Sequence, residues 1–484
     1  MSPTDDLTGV MGLTIGVYVV AMYVLAFSVR GRIHDTEDFL VAGRRLGLPL
    51  AWATLLATWF GAGTLLTATD EVRRGGLQRA ALDPFGAGLC LILAGLFFAA
   101  PLWRMGLLTF SDFFERRFGR RAELVSALIM VPAYFGWVAA QFVALAGMLE
   151  LIFGLDMRLG IPIVAAVAMG YTLLGGMWAV SLTDGVQVAL LLLGLVVLFF
   201  TTFGELGAGS VAAGVARLLR ETPPELLQPF PRESLQAFVG WAAVVAVGAL
   251  GNIPGQDLLQ RVFAARSAVV ARRACVLAGV AYLSFGMVPI ALGLAGRLLF
   301  ADSLDRAVLP ALMQVFLSPL PAVVFSVALI SAVLSTIDSA ILSPASVLSQ
   351  NVLPRLVGAR LPLTPLQWNR GAVVLVTAAS LGVAFLGESA YTLLEDAYEL
   401  PLVSLFVPLT LGLFRRRGGE RAALASMLAG AVLWLVHYVL GWEAFLPPLL
   451  GEVVPVSLAG AATSLLAWLA AEIGEPPREV PPVP

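Results

Sequence analysis

Apolar runs of about 20 residues, the length that crosses a hydrocarbon core as a helix, alternate along this chain with short polar connections. Thirteen such runs begin near Leu7, Leu48, Ala81, Glu123, Gly160, Trp178, Ala237, Cys275, Pro321, Gly371, Ser389, Ala422 and Val454. The pattern predicts an all-α polytopic membrane protein. The fourth and ninth runs are longer than a bilayer requires, which predicts tilt or extension beyond it. A Pro-rich, partly amphipathic connection runs from about Gly204 to Gln236, and Asp302 to Leu317 reads as an interfacial helix.

Within the ninth run stands the sequence Ser331-Ala-Val-Leu-Ser335-Thr336-Ile-Asp338-Ser339. Polar and charged groups in hydrocarbon are costly and persist where they face protein, water or an ion. Ser335, Asp338 and Ser339 lie three and four residues apart and so share one helical face. A cluster of hard oxygens on a membrane helix suits a small cation. Two other runs carry interruptions: Thr58-Trp59-Phe60-Gly61-Ala62-Gly63-Thr64 in the second, and Gly248-Ala-Leu-Gly251-Asn252-Ile-Pro254-Gly255-Gln256 in the seventh. Glycine and proline weaken or stop helices, and unwound backbone at membrane depth survives only against protein or a cavity. Breaks five runs apart suggest two five-helix repeats, and because five is odd the second is inverted. Paired breaks in inverted repeats point to a transport site near the midplane.

Composition changes this picture little. Hydrophobic residues make up 59% and charged residues 13% of the 484, against about 25% charged in soluble domains. A net charge of −2 gives no footprint for nucleic acid. All basic residues in the Lys+Arg count are arginine, and they gather in alternate connections: Arg30 to Arg45, Arg104 to Arg121, Arg261 to Arg273, Arg355 to Arg370 and Arg415 to Arg421. By the positive-inside rule this predicts a multi-pass cell (inner) membrane protein, N-terminus outside and C-terminus cytoplasmic. Cys90 and Cys275 read as buried thiols, no cleavable leader is evident, and the tail from Glu475 is expected to be disordered and to carry no signalling module.

Several stretches together resemble the sodium/solute symporters, relatives of the sodium-coupled proline, sugar and sialic acid carriers. They are Asp38-Phe-Leu-Val-Ala-Gly-Arg44, Tyr171-Thr-Leu-Leu-Gly-Gly-Met-Trp-Ala-Val-Ser-Leu-Thr183-Asp184-Gly-Val-Gln187, Gly255-Gln-Asp-Leu-Leu-Gln-Arg261 and Ser335-Thr-Ile-Asp-Ser339, in the family's order. The resemblance implies the leucine-transporter-type 5+5 inverted repeat with extra helices at both ends. The chain then divides into residues 1–47 (extra helix and inner loop), 48–203 (first repeat), 204–236 (outer loop), 237–413 (inverted second repeat) and 414–484 (two helices and tail). It further implies a central sodium site from the carbonyls of Ala57, Phe60 and Ala332 and the hydroxyls of Ser335 and Thr336. A second sodium would lie at Asp184, Asp338 and Ser339; Asp338 departs from members with serine there.

The implied function is sodium-coupled symport of a small organic solute into the cell by alternating access, with Na+ as coupling ion, a monomer sufficient for transport and an oligomer compatible with it. Substrate-binding candidates line the breaks and the helices facing them: Trp59, Thr64, Gln141, Trp241, Asn252 and Gln256. Glu395, Asp396 and Glu399 are candidates for the solute's way in. No cluster of carboxylates or arginines at the breaks marks the solute as strongly charged. Alternatives are a proton-coupled carrier of the same fold, using Asp184 and Asp338, and a solute-sensing membrane protein. No zinc motif, haem pair or nucleophile–base set suggests an enzyme.

Overall fold

The structure, a computed structural model, describes residues 3–300, 307–357, 361, 363–386, 397–415, 417–450 and 453–473. Its principal helices are α1 (Pro3–Val29), α2 (Leu48–Trp59), α3 (Ala87–Leu93), α4 (Arg120–Phe153), α5 (Met157–Leu206), α6 (Leu235–Ala246), α7 (Gln256–Ala264), α8 (Ala268–Phe300), α9 (Pro319–Val347), α10 (Pro365–Ala384), α11 (Val407–Phe414), α12 (Glu420–Leu440) and α13 (Val456–Glu472). Among the described residues nine helices are long and apolar enough to cross a bilayer, ten if the bent pair Leu48–Trp59 and Gly63–Gly75 counts as one span. Glu395, Asp396 and the expected disordered tail lie outside the described residues.

The α5 run holds 50 residues, about 75 Å at 1.5 Å per residue, more than twice a hydrocarbon core of about 30 Å. It divides at Gly176, whose φ of 48° and ψ of −145° leave the helical region. A Cβ there would stand 2.4 Å from the Phe39 carbonyl oxygen, so only glycine lets the backbones meet. The division falls where the hydrophobic pattern separates the runs beginning near Gly160 and Trp178. Of the expected interfacial segment, residues 302–306 lie outside the described residues; Val308–Phe316 is helical, with Val308 to Met313 buried against the bundle. In the Gly204 to Gln236 connection, Val211–Glu221 forms a short helix capped by the Ser210 hydroxyl.

Burial orders the helices. Within their apolar windows α9 is 83% buried and α1 22%. The run that carries the Ser335–Ser339 turn is therefore the central one, wrapped by α1, α2, α4, α5 and α10. Its hydroxyls bond carbonyls one turn back, Ser339 to Ser335 and Ser343 to Ser339, both at 2.8 Å, the usual way a hydroxyl is satisfied inside a helix. At the arginine-rich end, Arg355 pairs with buried Glu123 at 2.5 Å. Asn351 donates to Glu123 at 2.7 Å and to Asp112 at 2.9 Å. Glu123→Ala takes one partner each from Asn351, which keeps Asp112, and Arg355, which keeps Glu115 at 3.2 Å. It is expected to destabilise the protein near the low end of the ~3–5 kcal/mol typical of a broken buried pair, because Arg355 keeps 32% exposure; a denaturant titration in detergent reads this.

A candidate ion and solute site at the broken helices

Helix α2 ends because Phe60 turns out of it, at φ −80° and ψ 62°. This is inverse γ-turn geometry, and Gly61 N–H donates to the Trp59 carbonyl at 2.9 Å. The chain resumes beyond Gly63 with a 52° bend. Buried backbone donors need partners, and Gln141 of α4 supplies one: its Oε1 accepts from Ala62 N–H at 2.9 Å. With Oε1 fixed, its Nε2 is left without a partner. A Cβ on Gly61 would lie 2.6 Å from Thr336 Oγ1 and 3.0 Å from Gln141 Oε1, so α2, α4 and α9 close on this glycine.

On α9 the Ser335 hydroxyl donates to the Ala57 carbonyl at 3.1 Å and to the Ala332 carbonyl at 2.7 Å. Thr336 Oγ1 donates to the Thr58 and Ala332 carbonyls at 3.2 and 3.3 Å. Of the five residues read as a central site, Ala57, Ala332, Ser335 and Thr336 are brought together directly. Phe60 lies at the break itself, its buried ring tilted 4.8 Å from that of Tyr282. Thr58, not singled out from sequence, contributes both its carbonyl and a hydroxyl 3.3 Å from Ser339 Oγ.

Next to this group sits a second, more charged one. Asp184, on α5, accepts from the Thr54 hydroxyl. Ser339 Oγ lies 3.2 Å from Asp338 Oδ1. Into the same cluster comes Arg261 of α7, which the loop pattern assigns to a polar connection but the fold buries to 1% exposure. Its Nη2 lies 3.7 Å from Asp184 Oδ2 and donates to Ser339 Oγ. Its Nε reaches the Thr54 carbonyl at 3.2 Å and Nη1 the Asp257 carbonyl at 2.9 Å. Among the described residues, Asp184 Oδ1, Asp338 Oδ2 and Gln187 Oε1 have no donor. Asp184 is no helix cap: Thr183 bonds back to Ala179 and Val180 within a continuing helix.

Between the two breaks lies a cavity lined by Trp59, Asp83, Trp137, Gln141, Asn252, Asp257, Tyr282 and Tyr398, with Thr58, Gly61, Gly63, Ala87 and Thr336 completing its wall. Trp59, Gln141 and Asn252 are thus at the cavity, and Thr64 stands behind it, donating to Asp83 at 3.0 Å. Trp241 and Gln256 are not there. Trp241 packs in an aromatic cluster with Phe230 and Phe238, because its face of α6 turns outward. Gln256 accepts from Phe110 N–H at 2.6 Å and donates to Ser346 at 3.1 Å, because the helix restarting after Gly255 carries it toward the arginine-rich end. Glu399 accepts from the Trp434 indole at 2.9 Å, a packing contact.

The expectation of no charge at the breaks is also corrected. Asp83 and Asp257 both reach the cavity. Asp83 accepts from Tyr282 and Asp257 from Tyr134 at 2.5 Å; among the described residues neither side chain joins an ion pair. An aspartate inside an apolar run, as in Ala81-Leu-Asp83-Pro84, was the available signal.

The sodium:solute symporter family model matches residues 39–430. The chain belongs to the sodium:solute symporter family. It is therefore a multi-pass membrane transporter, not an enzyme, and couples movement of a small solute to sodium by alternating access. The symporter is 29% identical over 421 residues to the human high affinity choline transporter 1, covering 82% of this chain and 70% of that one. It is 24% identical over 460 residues to the sodium/proline symporter of Staphylococcus aureus, covering 90% and 86%. Its fold matches a solved Na+-coupled sialic acid symporter in a substrate-bound outward-open state, with a TM-score of 0.80 at 17% identity over 97% of this chain and 99% of that one. The closed conformation of the nucleobase-cation-symport-1 transporter MHP1 matches with a TM-score of 0.64 at 16% identity, covering 91% and 95%.

Proposed function

We propose that the solute is a small organic cation of the quaternary-ammonium class, choline being the first candidate, carried inward with sodium. The observation that carries this reading is the cavity wall: Trp59, Trp137, Tyr282 and Tyr398 beside two carboxylates without ion-pair partners, Asp83 and Asp257. Aromatic faces attract quaternary ammonium, which has no N–H to donate, by about 2 kcal/mol when desolvated. A buried negative charge supplies the remaining complement. Similarity to choline transporters over most of the chain points the same way.

Sodium on this reading sits among the carbonyls of Ala57, Phe60 and Ala332 and the hydroxyls of Ser335 and Thr336. The hydroxyl hydrogens rotate away and present lone pairs to the ion, and neutral oxygens replace its hydration shell as in cation filters. Because these ligands belong to both α2 and α9, the ion holds the two helices together and orders the break against which the solute rests. Trp59, Gln141 and Asn252 then contact the solute, Gln141 through its free Nε2. The two breaks belong to inverted five-span repeats, 48–203 and 237–413, within about thirteen spans, with the N-terminus outside. One sodium and one cationic solute both move down a membrane potential. At ~2.3 kcal/mol per charge per 100 mV and ~1.4 kcal/mol per tenfold sodium gradient, the driving energy is about 6 kcal/mol.

Uptake of radiolabelled choline and proline into proteoliposomes, with a sodium or a potassium gradient, tests the reading. Choline uptake that needs sodium is the expected outcome, and Trp137→Ala is expected to lower choline affinity about 10- to 30-fold. Sodium-driven uptake of proline with no competition by choline counts against a cationic solute.

A further inference from the structure

Of the second-sodium ligands implied by the resemblance, Asp184, Asp338 and Ser339, two, Asp184 and Ser339, are here engaged by a side chain that already carries a positive charge. We infer that the Arg261 guanidinium fills the second-cation niche as a tethered cation, so that the symporter binds one sodium ion per chain. This rests on the central sodium site proposed above.

Three observations carry it. Arg261 is 1% exposed and Asp184 fully buried, and Nη2 stands 3.7 Å from Asp184 Oδ2. The same nitrogen donates to Ser339 Oγ, so the hydroxyl and carboxylate that would hold a mobile ion face a permanent cation. The guanidinium is also fixed on its other side. Nε bonds the Thr54 carbonyl at 3.2 Å and Nη1 the Asp257 carbonyl at 2.9 Å. The planar fork is thereby pinned to α2 and α7, and guanidinium does not lose its proton in proteins.

Electrostatics favour the same count. The guanidinium already sets one positive charge against the fully buried Asp184 carboxylate, and a mobile cation placed beside it would hold two like charges together away from water, which is strongly disfavoured. Arg261 also links the ion cluster to the cavity, because Asp257, one turn before it on α7, lines the solute's wall.

Equilibrium binding of 22Na+ to the purified symporter counts the ions and needs no solute. One sodium per chain is expected for the unaltered protein and none for Ser335→Ala with Thr336→Ala. Arg261→Gln empties the niche and is expected to raise the count to two, while Arg261→Lys, which keeps the charge, stays at one. Two sodium ions on the unaltered protein overturn the inference while leaving the central site standing. One ion surviving in the Ser335→Ala, Thr336→Ala protein overturns it as well, because that ion then occupies the niche. No saturable sodium on the unaltered protein removes the central-site reading and this inference together. Should Arg261→Gln fail to fold, the counts on the unaltered and the Ser335→Ala, Thr336→Ala proteins still decide.

Discussion

Gly61→Ala is expected to abolish sodium-driven uptake while leaving a protein that still reaches the membrane. The added methyl would meet Thr336 Oγ1 at 2.6 Å, Thr336 Cγ2 at 2.8 Å and Gln141 Oε1 at 3.0 Å. None of these can yield freely. Thr336 is β-branched and restricted to few rotamers in a helix, and Gln141 Oε1 is held by Ala62 N–H. Overpacking of this kind costs about 1–3 kcal/mol, less than the roughly 5–15 kcal/mol by which folded proteins are stable. The same displacement falls on the Thr336 hydroxyl and the neighbouring carbonyls, where an ångström decides whether an ion is coordinated. Sodium-dependent uptake in proteoliposomes should fall at least 100-fold, with size-exclusion behaviour unchanged. Retention of a tenth of the activity would mean that α2 and α9 do not need to close on Gly61.

Ser335→Ala with Thr336→Ala should weaken sodium binding by about 100-fold or more. Each hydroxyl contributes a charge-assisted contact of ~1.5–3 kcal/mol, and ~1.4 kcal/mol corresponds to tenfold. The loss appears as a right shift of the sodium activation curve, not as a lower apparent solute affinity at saturating sodium. The double substitution also removes hydroxyls bonded to the Ala57 and Thr58 carbonyls, so α2 and α9 loosen. Ser335→Thr, which keeps the oxygen, should recover much of the sodium affinity, and its failure to do so would assign the defect to packing.

Much of the architecture was legible because membranes impose a coarse code. Apolar run length reports spans, and Gly61-Ala62-Gly63 and Asn252-Ile253-Pro254-Gly255 report interruptions whatever surrounds them. The Ser335–Ser339 turn was legible for the same reason: hydroxyls and a carboxylate in an apolar run must face something. What the pattern hides is helix rotation and the point where a helix restarts. Trp241 and Trp137 look alike in sequence, yet one packs against Phe230 and Phe238 while the other faces the cavity. Gln256 and Asp257 are neighbours, and the turn after Gly255 sends one toward Ser346 and the other toward the cavity. Arg261 was hidden by the rule that located the loops, since an arginine beside Arg266, Arg272 and Arg273 reads as part of a polar connection. Asp83 carried a signal that the emphasis on helix breaks passed over: a carboxylate within an otherwise apolar run.

The first helix has the least buried apolar window of the long spans, yet its Tyr18 hydroxyl reaches inward to Ser331 on α9 at 2.8 Å and receives Gln187 Nε2 of α5 at 2.8 Å. Both partners stand within two turns of the ion cluster. Trimming the chain before Leu48 would expose a serine and a glutamine to acyl chains that offer them nothing. The amino-terminal span is thus an outer wall for the polar cluster around Ser335 and Asp184, and shortened versions made for crystallography or biosensing should begin ahead of it.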